Sequence, residues 1–309
     1  MTILSSALEA IGHTPLVALD RLHPGRGRIL VKLEFLNPGG SIKDRAARAI
    51  IRRARELGDL RPGQPVVEMT SGNMGSGLAL VCGLLGHPFT AVMPAGNSPE
   101  RARMMRGLGA TVVLVPQVDG QPGQVTGGDV AAASAHAEAL AREQGAYYVD
   151  QFNNPGSILG HYESTGPEIW EQTGGKLDAL VATVGSGGSF TGTAKYLRER
   201  RPGLPCYAVE PASAAVLAGR AITQARHVIQ GVGYGLVPPH FQRDLCTGCL
   251  GVSDEEVLRT RELLGTREGL FVGFSAGANV AAARNLLLDG SLGPQATVVT
   301  LLCDHGLKY

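Results

Sequence analysis

Residues 66–85 read VVEMTSGNMGSGLALVCGLL: a short apolar run ending at Met69, the loop Thr70-Ser71-Gly72-Asn73-Met74-Gly75, then an apolar helical stretch over 75–85. Such a passage is a strand, a turn and a helix, and the same unit recurs on either side of it. Upstream, residues 29–34 read as a strand and 44–58 as a helix; downstream, 89–93 is a strand, 99–108 a helix and 111–115 a strand. Strands that alternate with helices of this length predict a parallel sheet built from βαβ units.

Residues 116–128 are rich in Gln, Gly and Pro and read as a surface excursion, with a lid over a site as the competing reading. A helix over 129–143 and a strand over 147–150 close the first set, and an irregular stretch over 151–162 places a domain boundary near residue 150. The second set comprises strands over 179–184, 206–210 and 296–303 and helices over 190–200 and 276–288. A further helix is opened by the capping box Ser253-x-x-Glu256. The fold class expected is α/β, with two parallel-sheet domains.

The 309 residues suffice for two such domains. With 28 basic against 27 acidic side chains there is no overall field to attract nucleic acid or an anionic membrane, so a small molecule is the expected partner. No basic leader with an apolar stretch opens the chain and no apolar run reaches the roughly 20 residues that span a bilayer. A soluble, cytoplasmic protein is expected. Five cysteines, an odd number, speak against a disulfide framework. Cys246 and Cys249 form a C-x-x-C with no second pair to complete a zinc site, so no metal is expected; structural thiols are favoured over a redox role.

Only five lysines occur: Lys32, Lys43, Lys176, Lys195 and Lys308. Lys32, Lys176, Lys195 and Lys308 read as solvated charges. Lys43 stands apart, because Asn37-Pro38-Gly39-Gly40-Ser41-Ile42-Lys43-Asp44-Arg45 sets it where a glycine turn enters a helix. The positive end of a helix dipole and partial desolvation both disfavour an ammonium ion and favour the neutral amine that a Schiff-base lysine needs. A surface lysine ahead of an amphipathic helix is the plainer reading. The 70–75 loop offers hydroxyls, an amide and backbone N–H groups suited to a carboxylate, or is a capped turn. Gly185-Ser186-Gly187-Gly188-Ser189 joins a strand to a helix in a form suited to a phosphate. A dinucleotide site would use Glu210, but Phe190 breaks the G-x-G-x-x-G spacing.

With these three features in this order, the chain resembles the cysteine synthase and cystathionine β-synthase family of fold-type II, tryptophan synthase β-like, pyridoxal-phosphate enzymes. The resemblance extends through Gly12-His13-Thr14-Pro15-Leu16, Gln151-Phe152-Asn153-Asn154-Pro155, Thr165-Gly166-Pro167-Glu168-Ile169-Trp170 and Gly273-Phe274-Ser275-Ala276-Gly277. It implies pyridoxal 5'-phosphate in a cleft between two domains. Residues 1–43 would pack with the C-terminal domain, 44–150 would form a smaller mobile domain and 151–309 the larger cofactor domain. Lys43 would carry the cofactor, Asn73 would bond its ring oxygen, Gly185, Ser186, Gly187, Gly188 and Ser189 would hold its phosphate, and Ser275 would face the pyridine nitrogen. Thr70, Ser71, Gly72, Met74 and Gln151 would hold the substrate carboxylate, although cysteine synthases usually have Thr where this chain has Met74.

The activity implied is synthesis of cysteine from an activated serine, O-acetylserine first, and sulfide, through an aminoacrylate. Gln151 to Pro155 with His161-Tyr162 look like the B-type cysteine synthases, whereas Tyr234 looks more like the cystathionine β-synthases, which would use homocysteine. A catalytically idle binding or regulatory protein is the distant alternative. The resemblance also implies a homodimer; nothing in the sequence speaks for association with a serine acetyltransferase.

Overall fold

The computed structural model describes residues 3–25, 27–224, 226–233 and 235–309; Tyr234 lies outside the described residues. The chain divides into two compact units, one made of residues 3–11 with Lys43–Ser157 and the other of Gly12–Ile42 with Ile158–Tyr309. Residues 3–11 thus belong with the first unit, and the chain passes to the second at 157–158 rather than at 150.

In the first unit β3 (Val66–Met69), β4 (Phe89–Pro94), β5 (Thr111–Val115) and β6 (Tyr147–Tyr148) form a sheet in the order β5-β4-β3-β6, and every pairing is parallel. Helix α1 (Lys43–Leu57) buries Ala46, Ala47, Ile50, Ile51 and Ala54, a three-and-four spacing that leaves Arg52 and Arg55 outside. It stops where Gly58 takes φ +81°, a conformation that favours glycine. Burying each of the two isoleucines contributes about 1.5–3 kcal/mol. Helix α2 (Asn73–Leu85) lies against α1, and α3 (Pro99–Gly107) follows β4.

The 116–128 segment is tied down at its end. Thr126 and Asp129 form a capping box at α4 (Gly127–Gln144), and Asp129 also accepts the Val118 N–H at 2.7 Å. The backbone donors of Thr126, ahead of Val118, hold the Asp129 carboxyl well below the usual range.

In the second unit β1 (Leu16–Ala18), β2 (Arg28–Lys32), β10 (Thr297–Leu301), β7 (Ala179–Thr183), β8 (Cys206–Pro211) and β9 (Gly248–Val252) make a six-stranded sheet in that order. Only β1 runs antiparallel, against β2. Helices α7 (Gly188–Arg200), α8 (Asp254–Glu268) and α9 (Phe274–Leu288) pack on it, α8 carrying the expected Ser253–Glu256 capping box.

Three local expectations differ from the structure. The stretch over 151–162 is helical from α5 (Gly156–Gly160) onward, through a π turn (His161–Thr165) into α6 (Gly166–Thr173). Its glycines hid the helix: a side chain at Gly166 would stand 2.6 Å from Tyr196 Cβ, so close packing on α7 requires the glycine. Strand β9, Gly-Cys-Leu-Gly-Val, lacks strand-like composition and owes its form to its pairing with β8.

Lys32 is not a solvated charge. It is fully buried, its Nζ lies 2.7 Å from Glu168 Oε2 and it donates to the Thr14 carbonyl. Burial of a lysine is tolerated only with such partners.

Candidate active site

The residues named from the sequence fall into two groups. Lys43, Thr70, Ser71, Gly72, Asn73, Met74 and Gln151 belong to the first unit; Gly185, Ser186, Gly187, Gly188, Ser189 and Ser275 belong to the second.

In the first group Lys43 is the first residue of α1, half-buried, and α2 crosses close beside it. A Cβ on Gly77 would meet the Lys43 carbonyl carbon and oxygen at 3.2 Å, so the glycine lets α2 approach the lysine's backbone. The preceding loop is fixed separately, within the second unit: Lys308 Nζ donates to the Gly39 carbonyl at 2.8 Å and the Ile42 N–H to the Cys303 carbonyl at 2.8 Å. Lys43 therefore starts a helix from an anchored turn.

The 70–75 loop organises itself around Thr70, whose Oγ1 accepts the Gly75 N–H at 3.0 Å. That leaves the hydroxyl proton to donate elsewhere. Thr70 thus caps the Gly75 N–H, while Gly72 at the N-cap of α2 supplies no side-chain cap of its own, and a helix start of this kind suits an anion. Arg101 Nη1 reaches the Ser71 carbonyl at 3.2 Å. Met74 differs from its neighbours. Its side chain is 2% exposed and packs into the apolar cluster with Ile50, Leu78 and Met105. At this position the Thr-to-Met difference acts through packing; any hold on a carboxylate belongs to the backbone.

Gln151 Nε2 donates to Glu68 Oε1 at 3.0 Å and to the Met69 carbonyl at 3.3 Å, while Ser157 Oγ donates to the Gln151 carbonyl at 3.0 Å. Glu68 lies on β3 just before the loop, and in the sequence it is only a strand residue. It is buried, its Oε2 has no hydrogen-bond partner, and burial pushes its carboxyl up to about 8 against the pull of the Gln151 bond. The unfolded chain releases this proton near 4.5, whereas the native state keeps it to about 8, so native stability declines as pH rises across that interval. Glu68→Gln has no proton to lose and can still accept from Gln151. Its melting temperature relative to the natural chain is expected to rise steadily between pH 5 and 8. Parallel melting curves over that range would mean that Glu68 is not held neutral.

In the second group β7 runs into Gly185-Ser186-Gly187-Gly188-Ser189 and then α7. Gly187 is the N-cap, with φ +91° and no side-chain cap. A Cβ on Gly185 would stand 2.5 Å from the Gly231 carbonyl oxygen, and one on Gly187 2.8 Å from the Phe241 nitrogen. The glycines thus let the Gly231 and Phe241 backbone pass close against the loop that starts α7. Ser275 lies in the first turn of α9, which is locked by Arg261 stacked 4.0 Å over Phe274 and by Tyr309 edge-on to the same ring.

Asn279 went unnoticed in the sequence, where it is one polar residue in an alanine-rich helix. It accepts the Thr183 N–H at 2.7 Å and donates to the Leu301 carbonyl at 2.8 Å, tying α9 to the ends of β7 and β10. A buried amide whose donor and acceptor are both used fixes the Ser275 helix against the strand that feeds the glycine loop.

A family model described as pyridoxal-phosphate dependent enzyme matches residues 7–304. The chain belongs to the pyridoxal-phosphate dependent enzymes. As a member of that family it is 40% identical to cysteine synthase 3 of Caenorhabditis elegans over 90% of this chain and 80% of the relative. Cysteine synthase A of Escherichia coli is 38% identical, covering 97% and 91%. The solved structure of a hydrogen sulfide-producing enzyme from Fusobacterium nucleatum superposes with TM-score 0.91 at 34% identity, covering 100% of this chain and 99% of the other. These pyridoxal-phosphate enzymes share its two-domain, parallel-sheet α/β fold.

The residues fit the family's cofactor. The start of α7, with Gly187 and Gly188 and no side-chain cap, offers backbone N–H donors suited to a phosphate, and Lys43, half-buried, carries an amine that can condense with an aldehyde. Among the described residues no helix is long and apolar enough to cross a membrane.

Proposed function

We propose that the chain makes cysteine, replacing the β-substituent of an activated serine, O-acetylserine foremost, with sulfide. One observation carries this reading: the likeness to cysteine synthases extends over nearly the whole chain, 97% of it in the match to the Escherichia coli protein. The loops that start α2 and α7 supply chemistry that suits the donor carboxylate and the cofactor phosphate.

Pyridoxal phosphate, when bound, supplies the electron sink that acidifies the donor's Cα–H and lets the β-substituent leave. Lys43 would hold the cofactor, and its amine, once free, would take the donor's Cα proton and return it. The Thr70 hydroxyl, already accepting from Gly75, would donate to the donor carboxylate, joined by the backbone N–H groups of the 71–74 turn; Gln151, whose two amide protons go to Glu68 and Met69, holds the loop instead of the carboxylate expected of it from the sequence. Asn73 would bond the ring oxygen, and Ser275 would offer the ring nitrogen a neutral hydroxyl rather than a carboxylate. A cytoplasmic homodimer is the setting this reading implies.

The test is product analysis. Purified protein loaded with pyridoxal phosphate is given O-acetylserine, O-phosphoserine or serine together with sulfide or homocysteine. Cysteine from O-acetylserine and sulfide is the expected product. Cystathionine in place of cysteine, or cofactor uptake with no turnover on any pair, would overturn the reading.

A further inference from the structure

Cys246 and Cys249 are brought together on the second unit, and their sulfurs stand 3.9 Å apart. Both are partly exposed, unlike Cys82 and Cys206, which are buried. The turn between them is pinned to the neighbouring strand. The Thr247 N–H donates to the Cys206 carbonyl at 2.8 Å and Thr247 Oγ1 accepts the Cys206 N–H at 3.0 Å. Cys249 is itself paired with Ala208 in the β8–β9 ladder. On the other side, the Cys246 N–H donates to the Arg243 carbonyl at 3.0 Å, and Arg243 Nη1 stands 3.4 Å from Cys249 Sγ while also donating to the Leu217 carbonyl. A cation and two thiols are therefore held at one spot by fixed backbone.

We propose that Cys246 and Cys249 form a dithiol that exchanges with low-molecular-weight disulfides, closing to an intramolecular disulfide. The step balances. The Cys246 thiolate attacks one sulfur of the incoming disulfide and expels the other half as a thiolate, leaving a mixed disulfide on Cys246. Cys249 then gives up its proton and attacks the Cys246 sulfur, expelling the second half as a thiolate. The incoming disulfide is reduced to two thiols and the pair is oxidised. Closure needs the sulfurs to move from 3.9 Å to about 2.05 Å, which side-chain rotation can accomplish across a pinned turn.

The ionisation of the pair agrees with this order of events. With the Cys246 sulfur also 3.2 Å from the Gly248 carbonyl, the hydrogen bond shared between the two sulfurs holds Cys246 down at about 6 and pushes Cys249 up. Cys246 is thus the attacking sulfur and Cys249 the one that resolves. By contrast, burial pushes both Cys82 and Cys206 up to about 12, which leaves them inert.

Reduced protein with its cofactor is treated with oxidised glutathione, quenched by alkylation and digested. The expected result is a peptide in which Cys246 and Cys249 are cross-linked, with Cys82 and Cys206 still alkylated. Cys249→Ser should accumulate glutathione on residue 246, and Cys246→Ser should react at least about tenfold more slowly. On the unaltered protein, iodoacetamide at pH 6.5 should modify Cys246 first. A Cys246 no faster than Cys82, or a cross-link that includes Cys206, would overturn the proposal, and this reading does not depend on whether the enzyme makes cysteine.

Discussion

Lys43→Ala is expected to lower β-replacement by at least about a thousandfold, because on the proposed reading it removes both the attachment point of the cofactor and the base that moves the Cα proton. The fold should survive, since Lys43 opens α1 and the helix is held by Ala46, Ile50 and Ile51 on its far side from solvent. The decisive measurement is chemical: borohydride reduction of the natural enzyme should fix the cofactor to the peptide containing residue 43, and the variant should retain no reducible label. A label on the peptide of Lys32 or Lys195 would refute the assignment. Lys32 is a poor rival, because its ammonium is enclosed against Glu168 and the Thr14 carbonyl.

The same ion pair gives the second large effect. Lys32→Met leaves Glu168 beside an apolar side chain, and breaking a buried pair by removing one partner costs about 3–5 kcal/mol. Chemical denaturation should register that loss. Lys32→Met combined with Glu168→Leu should recover much of it, since no charge is then stranded. A single variant within about 0.5 kcal/mol of the natural chain would show that the pair contributes nothing.

What the pair holds explains several motifs at once. Glu168 Oε1 accepts the His13 N–H at 2.9 Å, Thr14 Oγ1 donates to Glu34 Oε1 at 2.7 Å, and Asn37 Nδ2 donates to Glu34 Oε2 at 3.1 Å. The Gly12 N–H donates back to Asn37 Oδ1 at 2.8 Å. The Gly12-His13-Thr14-Pro15, Asn37-Pro38-Gly39-Gly40 and Gly166-Pro167-Glu168 segments are therefore one buried polar cluster, which fixes the turn that leads to Lys43.

The alternation of strands and helices was legible because each element carries its own period and its own breakers, as in residues 66–85. The glycine loops were legible for the same reason: a strand that ends on small residues and restarts as a helix is a local pattern. Lys32 was misread because its partner lies on α6, far along the chain, and an alternating strand lysine looks solvated without it. Met74 looked like part of a binding motif because its neighbours are polar, yet a helix turns consecutive residues to different sides, and this one faces the α2 core. Glu68 could not be recognised as a neutral acid, since its state depends on burial and on Gln151. β9 had no compositional signal at all, because its conformation is imposed by β8.

The central place of β10 in the second sheet affects how the chain can be assembled during synthesis. β10 joins β2 on one side to β7 on the other, so without residues 297–301 that sheet is two fragments, β1-β2 and β7-β8-β9. The first sheet, drawn entirely from residues 66–148, is complete once that stretch has left the ribosome. The second must wait until residues 297–301 have emerged, with the edge of β2 that pairs with them left open for the whole interval. At about 5–20 residues per second, the roughly 265 residues between β2 and β10 take some 13 to 53 seconds to emerge. During that time β2 is a target for chaperones and for mispairing between nascent chains, and the last strand acts as the closing step that ends the exposure.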